Sequence, residues 1–158
     1  WITNDTLAPL CDSATIQLAS LEGGAEWTER LAFEVPANAS RRIWRGTARD
    51  AADRVLLVRS AAFAPNRLLL AAVKDLALAR DPGLRVDHVR AGAALRVTLS
   101  AERYALAVQL RSEDPELRFS DNHFDLAGGE QCVVTVTRNG GGEVRREAIE
   151  ATSWNGRA

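Results

Sequence analysis

The residues best equipped for chemistry lie together in one short polar segment, residues 119–130. Asp121 and Asp125 are carboxylates four positions apart, with Asn122 and His123 between them. Two positioned carboxylates can act as general acid and as base or nucleophile, and the same oxygens beside an imidazole could bind a metal ion. Short Asp and Asn side chains also bond nearby backbone N–H groups in turns. The alternative is a structural role, in which these side chains cap the backbone at a corner of the chain.

The sequence favours the capping role. The Asp-x-Asp-x-Asp-Gly ladder of a calcium loop is absent, and the two histidines, His88 and His123, have no second ligand at zinc spacing. No Gly-x-Ser-x-Gly motif, P-loop or dinucleotide fingerprint occurs. We predict that the chain contains no catalytic residue, no cofactor-binding residue and no metal ligand. His88 shares a face with Leu84 and Val86, which predicts a hydrogen-bonded or edge histidine.

The tryptophans raise the question of sugar binding, because aromatic faces stack on sugar rings. Trp27 shares a strand face with Leu31 and Phe33, which predicts a core position. Trp44 and Trp154 are less constrained. For Trp44 and Trp154, packing against a neighbouring domain and contact with a sugar both remain open.

The elements that position these residues are strands. Alternating segments, residues 105–110 and 131–137, flank the corner, and Phe124 and Leu126 can enter a core at strand spacing while Gly128-Gly129 allows positive φ. We also predict two hairpins, over residues 14–35 and 84–99, a loop at 36–40 and a strand at 41–46. A further strand is predicted at 55–58, with a helical turn near Ala51 as the alternative. An apolar run follows at 67–73, and a closing strand is predicted at 143–152. Without a βαβ rhythm, we predict an all-β fold of two sandwich domains, residues 1–78 and 83–158, with the boundary near 76–83.

Composition excludes several classes of protein. The 158 residues are 46% hydrophobic and 26% charged, with a formal net charge of −1, so nothing would attract a nucleic acid. No apolar run approaches the ~20 residues that span a membrane. The chain contains no Met and begins at Trp1, so we expect it to be an excised segment of a longer protein. The compartment of that parent protein, for which export or a periplasmic location is one option, is not encoded in this segment. Cys11 and Cys132 are expected to be separate thiols, not a bridge.

The corner also carries a family resemblance. Its sequence, Phe-Ser-Asp-Asn-His-Phe-Asp-Leu-Ala-Gly-Gly-Glu, followed by a Val/Thr strand, resembles the C-terminal immunoglobulin-like domain of β-mannosidases of glycoside hydrolase family 2. That family typically has an aromatic residue at the position of His123 and Leu-Pro at Ala127-Gly128. Glycine lacks the fixed φ of proline, so the second departure predicts a looser corner. Residues 4–7 and 74–76 resemble, respectively, the start of the preceding domain and the connection between the two.

The resemblance implies two tandem immunoglobulin-like domains that serve a catalytic TIM barrel of the same parent chain. The parent would remove terminal β-linked mannose with retention, using two glutamates outside this segment. Because a TIM barrel needs about 200 residues or more, it cannot fit here. Two alternatives belong to other classes: a free-standing carbohydrate-binding module that uses Trp44 or Trp154, and an adhesin-type immunoglobulin-like module that binds protein.

Overall fold

The computed structural model describes residues 1–47, 49–146 and 149–157, with the side chain of Arg157 left out. The chain divides into two compact units. The first unit comprises Trp1–Ser20 and Ala25–Ala77, and the second comprises Leu21–Gly24 and Leu78–Ala158. Apart from 3₁₀ geometry at Val73–Asp75 and at Arg146, the regular elements of the described residues are strands, which confirms the all-β prediction. Within those residues no helix is long and apolar enough to cross a membrane.

The first unit is built around a four-stranded antiparallel sheet in the order β3-β2-β5-β6, beside a two-stranded sheet, β1-β4. Its strands are β1 (Ile2–Asn4), β2 (Leu10–Ser20), β3 (Ala25–Val35), β4 (Ala39–Arg41), β5 (Arg54–Arg59) and β6 (Asn66–Leu69). Ala14, Phe33 and Val35 form one of its buried clusters, against which Ile2, Ile43 and Phe63 pack. The predicted β2–β3 hairpin and the strand over residues 55–58 are confirmed.

Two predictions in this unit were wrong in detail. The strand expected at residues 41–46 is β4, which begins earlier and ends at Arg41. Its partner β1 is only three residues long and pairs Ile2 with Arg41, so no strand remains for residues 42–47 to bond. The loop expected at residues 36–40 is shorter than predicted, because β4 begins at Ala39. Near Ala51, where a helical turn was the alternative to a strand, the structure has a turn at residues 52–53, and Ala48 lies outside the described residues.

The second unit is a sandwich of two four-stranded sheets, β10-β12-β8-β7 and β11-β9-β13-β14. The strands are β7 (Arg85–Ala91), β8 (Ala94–Ser100), β9 (Ala105–Arg111), β10 (Leu117–Phe119), β11 (Phe124–Leu126), β12 (Gln131–Arg138), β13 (Glu150–Ser153) and β14 (Gly156–Arg157). Alternate residues of β8, β9 and β12 point inward and are almost fully buried, among them Val97, Leu99, Val108, Leu110, Val134 and Val136. The predicted alternating strands on each side of the corner are confirmed.

The closing strand is shorter than the sequence predicted and lies in the other sheet. We expected residues 143–152 to follow β12 as a hairpin, but the strand begins at Glu150 and pairs with β9 and β14. β12 already bonds β10 on one side and β8 on the other, so it has no free edge for another strand. Val144 is buried although it lies in no strand, and Glu147 and Ala148 lie outside the described residues.

Asp12 anchors the loop that follows β5. Its Oδ2 accepts hydrogen bonds from the Ser60 hydroxyl at 2.5 Å and from the Ala62 N–H at 3.0 Å. The bond from Ser60, with further backbone bonds, lowers the pKa of Asp12 below its ordinary value of 3.8. Sequence analysis did not single out this residue.

A first prediction concerns the core of the second unit. Val134→Ala should lower its free energy of unfolding by about 2–3 kcal/mol, because two fully buried methyl groups are lost and a cavity is left. The adjacent Val133 points outward and is 45% exposed, so Val133→Ala should stay within about 0.5 kcal/mol of the parent chain. Urea unfolding followed by circular dichroism measures both. Equal losses would contradict the assigned strand faces.

A second prediction concerns pH. Because folding lowers the pKa of Asp12, its contribution to stability is present above 3.8 and is lost as the pH falls through the lower, folded value. Asp12→Asn should therefore be less stable than the parent chain at about pH 6, with a gap that narrows towards about pH 3. Urea unfolding over this pH series, with exposed Asp5→Asn as the control, tests the claim. A gap that does not change with pH would contradict it.

Candidate functional site

The predicted corner lies against an irregular point in β9. Phe124 pairs with Val108 but Leu126 pairs with Ala105, so Leu106 and Ala107 together oppose a single residue of β11. This is the arrangement of a β-bulge, in which an extra residue interrupts the ladder of hydrogen bonds. Ala107 has φ +50°, in the left-handed region. The bulge leaves backbone N–H groups of β9 without the usual partner on a neighbouring strand.

Side chains supply the missing acceptors. Oδ1 of Asp125 accepts a hydrogen bond from the Ala107 N–H at 2.8 Å, and Oδ1 of Asn155 accepts one from the Leu106 N–H at 3.0 Å. Oδ2 of Asp125 accepts a third bond, from the hydroxyl of Tyr104 at 2.5 Å. Tyr104 is 1% exposed, so this bond satisfies a buried hydroxyl. Both oxygens of Asp125 are thus bonded within the fold.

Asn122 performs the same task further along β9. Its Oδ1 accepts from the Leu110 N–H at 2.8 Å while its Nδ2 donates to the Leu110 carbonyl at 2.9 Å, as a neighbouring strand would. Oδ1 of Asp121 accepts from the N–H of Asn122 at 2.7 Å. The predicted capping by these three residues is confirmed. His123 differs, because its side chain is exposed and its Nε2 lies 3.3 Å from Nε2 of Gln109 instead of on the backbone.

The glycine at position 128 has a packing reason. A Cβ placed on Gly128 would lie 2.7 Å from the carbonyl oxygen of Glu102, closer than Cβ atoms approach in proteins. The next residue, Gly129, has φ +82°, which confirms the predicted positive φ in this connection. Gly128 therefore allows a close backbone approach that a proline ring would block. The expectation of a looser corner stays a prediction, and the close approach to Glu102 is a second reason for glycine at this position.

The remaining polar candidates are scattered. Within the described part of the chain, no group of three His, Cys, Asp or Glu residues comes together to hold a metal ion. His88 lies on the edge strand β7, and its Nε2 is buried with no hydrogen-bond partner among the residues that the structure describes. Cys11 and Cys132 are free thiols, as expected. Burial, and secondly the charge of Asp121, raises the pKa of the Cys132 thiol.

The tryptophans lie mostly at the surface. Trp27 is 41% exposed, so its predicted core position was wrong. Its ring lies 6.1 Å from the ring of Trp44, which is half-buried and donates from Nε1 to Glu29 Oε2 at 3.0 Å. Trp154 is 65% exposed in the turn between β13 and β14. Trp1 is 79% exposed, with the guanidinium of Arg42 5.8 Å from its ring centre.

A cavity of about 400 Å³ lies beside Trp44 in the first unit. Its wall is mainly apolar, and Thr3 and Asn66 are the polar residues that line it. The other lining residues are Trp1, Ile2, Ile16, Ile43, Trp44, Val58, Phe63 and Ala64. Its volume falls in the range of roughly 300–1,000 Å³ that is typical of small-molecule sites.

Asn4 is an organising residue that sequence analysis did not recognise. It is 2% exposed, and its Nδ2 donates to the carbonyls of Ala8 at 2.8 Å and Pro36 at 3.0 Å. Its Oδ1 accepts from the N–H and hydroxyl of Thr6 at 3.1 and 2.8 Å. A buried amide that bonds two chain segments fixes their separation. The available signal was the Asn-Asp-Thr-Leu sequence, which sequence analysis used only for its resemblance to the start of a domain.

A third prediction separates the two carboxylates of the corner. Asp125→Ala should cost about 2–3 kcal/mol of the free energy of unfolding, because a buried hydroxyl and the Ala107 N–H both lose their acceptor. Asp121→Ala, the matched control, removes an exposed side chain and should change stability by no more than about 0.5 kcal/mol. Thermal and urea unfolding measure both. Similar losses for the two variants would contradict the assigned roles.

Comparison with known proteins finds a family similarity in the second unit. Residues 79–155 match the Ig_mannosidase family, which is described as an Ig-fold domain. The search of curated protein sequences found no match.

Solved structures share the fold over nearly the whole chain. The β-D-mannosidase from Dictyoglomus thermophilum superposes with a TM-score of 0.75 at 15% identity, over 97% of this chain and 20% of that one. The exo-chitosanase of Amycolatopsis orientalis superposes with a TM-score of 0.61 at 16% identity, over 98% of this chain and 24% of that one. The same exo-chitosanase in complex with PNP-β-D-glucosamine gives a TM-score of 0.64 at 16% identity, with the same coverage.

The chain thus spans between a fifth and a quarter of these enzymes. At 15–16% identity the superpositions show a shared fold, while the match of residues 79–155 to the family rests on sequence. The corner that carries the resemblance, residues 119–130, lies inside the matched segment. Residues 79–155, just under half of the chain, are therefore similar to the Ig_mannosidase family of Ig-fold domains, in agreement with the resemblance carried by the corner.

Proposed function

We propose that this chain is the non-catalytic C-terminal accessory region of a β-mannosidase-like glycoside hydrolase. In this proposal residues 1–78 and 83–158 are two tandem immunoglobulin-like domains that pack on a catalytic TIM barrel of the same parent chain and stabilise it. The parent would hydrolyse terminal β-D-mannosides with retention, using two glutamates outside this segment.

The observation that carries the proposal is the use of the corner carboxylates. A retaining glycosidase needs two carboxyl groups about 5–5.5 Å apart that face a substrate cleft. The oxygens of Asp125 instead bond the Tyr104 hydroxyl and the Ala107 N–H. Asp121 is exposed and bonds the adjacent backbone. The two carboxylates of the corner are thereby engaged by the backbone and by Tyr104, which is the task of a structural domain.

The coverage of the similar enzymes also supports an accessory role. The chain corresponds to 20% of the mannosidase and 24% of the exo-chitosanase, so most of each enzyme lies outside the shared region. A catalytic barrel of about 200 residues or more fits in that remainder and not in the sandwiches described above.

Carbohydrate binding is the second candidate function. The cavity beside Trp44 favours it, because aromatic walls with a few polar groups such as Thr3 and Asn66 are typical of sites for small polar ligands. Under the main proposal this cavity binds no mannan oligosaccharide, and under the second it does.

The fourth prediction tests the two candidates together. The purified chain should not release the chromophore from a chromogenic β-mannoside, and mannan oligosaccharides should cause no saturable change in its tryptophan fluorescence. The natural full-length protein that contains the chain should hydrolyse the β-mannoside, and its catalytic part should melt at a lower temperature when the chain is removed.

Two results would contradict the main proposal. Turnover by the chain, with contaminating enzyme excluded by a mock purification, would show that it carries its own reacting groups. A saturable fluorescence change that disappears in Trp44→Ala would favour the sugar-binding module.

A further inference from the structure

The four-stranded sheet of the first unit is covered unevenly on one face. Over one end of that face, β1, β4 and nearby loop residues pack on Ala14, Phe33 and Val35, which are 0%, 8% and 0% exposed. The covering sheet consists of two strands of three residues each, whereas β2 and β3 have eleven residues each. The short strands therefore cannot form a second layer over the whole length of the sheet.

At the other end of the same face, apolar side chains form a continuous row. Leu18 pairs with Trp27 on one side and with Leu56 on the other, and Leu56 pairs with Leu68. Directly paired residues point to the same face, so these four side chains cross all four strands side by side. Trp27 is 41% and Leu68 57% exposed, while Leu18 and Leu56 are half-buried. Single exposed apolar residues are ordinary, but a contiguous row across a sheet indicates a contact surface.

Trp44 extends this row. Its ring contacts the Trp27 ring at a centroid distance of 6.1 Å and is held by the bond from Nε1 to Glu29. We refer to Leu18, Trp27, Trp44, Leu56 and Leu68 as the open face. Trp44 belongs to residues 41–49, a segment that contains four arginines and no acidic residue. Tryptophan and arginine are the residues that most often dominate the energy of protein–protein interfaces.

We propose that the open face is the surface on which the catalytic domain of the same parent chain packs, and that this domain presents carboxylates opposite the arginines of residues 41–49. This inference rests on the proposed function. The similar enzymes carry at least three quarters of their length outside the shared region, since the larger share covered is 24%. A domain tethered on the same chain has a high effective concentration, so it covers an apolar face ahead of any free partner.

Other occupants fit the open face less well. A sugar presents hydroxyl groups that need polar partners, but the row offers only the indole N–H groups, and that of Trp44 is already bonded to Glu29. A second copy of the chain, paired through an isologous interface, would bring the arginine-rich segments of both copies to the same interface, where like charges repel.

A fifth prediction compares Leu68→Lys with Val89→Lys in the chain alone and in the natural full-length protein. Both residues lie on edge strands, β6 and β7, and their exposed fractions are matched at 57% and 61%. In the chain alone, neither lysine should change the melting temperature. In the full-length protein, Leu68→Lys should lower it by roughly 4 °C or more, because the lysine becomes buried at the interface, while Val89→Lys should leave it unchanged.

A second measurement does not depend on any variant. Hydroxyl-radical footprinting read by mass spectrometry should label Trp27 and Leu68 several-fold less in the full-length protein than in the chain alone, with Val89 and Val133 labelled equally in both. Equal labelling of Trp27 and Leu68 in the two proteins, when the full-length protein hydrolyses a β-mannoside, would overturn this inference and leave the proposed function standing. A chain that dimerises and protects these residues by itself would also overturn it. A full-length protein that lacks a catalytic domain would contradict the proposed function itself, and this inference with it.

Discussion

The second unit depends on the hydrogen bonds that polar side chains make to the backbone of β9. A bulge at Leu106 and Ala107 interrupts the ladder with β11, and an unpaired backbone N–H in a folded interior costs about as much as a lost hydrogen bond. Asp125 and Asn155 accept those N–H groups, and Asn122 bonds both the N–H and the carbonyl of Leu110. Because the bulge is satisfied, β9 can lie between β11 and β13 and present its buried residues to the core.

The same hydrogen bonds give a motif with two carboxylates and a histidine a structural role, which supports the proposal that it is not a reaction centre. A reacting carboxylate must face a substrate and exchange a proton, whereas Asp125 is bonded through both oxygens. Under this proposal the function of the chain depends on its contact surfaces. The sandwich of the second unit is closed by its own two four-stranded sheets, but the four-stranded sheet of the first unit has only two short strands opposite it. An uncovered apolar row is the physical consequence, and a partner domain is the natural way to bury it.

Sequence patterns predicted what depends on local periodicity. The alternation of β8, β9 and β12, the hairpin turns and the bonds of Asp121 and Asn122 to the next N–H in the turn all follow from residue types within a few positions of each other. The wrong predictions concern which distant parts of the chain pack against a given strand or turn. Trp27 does lie on the face of Leu31 and Phe33, but periodicity does not state how far the covering layer extends. At Gly128 the sequence predicted only a looser corner, because the residue that packs against this glycine, Glu102, is distant in sequence.

Long-range pairing limited the other predictions in the same way. The closing strand was misplaced because the edges of β12 are taken by β8 and β10, which only the assembled sheet reveals. Asn4 was missed because its acceptors include the carbonyl of Pro36, more than thirty positions away, and no local pattern distinguishes a buried hub from a turn residue.

The central claim, that corner side chains complete the hydrogen bonding of β9, is tested most directly by residue-resolved amide hydrogen exchange measured by NMR. Ala107 is an exposed residue in a bulge, so without Asp125 its amide would exchange as a loop amide does. We expect the Leu106, Ala107 and Leu110 amides to exchange as slowly as the amides in the centre of β12. Fast exchange at Ala107 and Leu110 beside slow exchange in β12 would contradict the account.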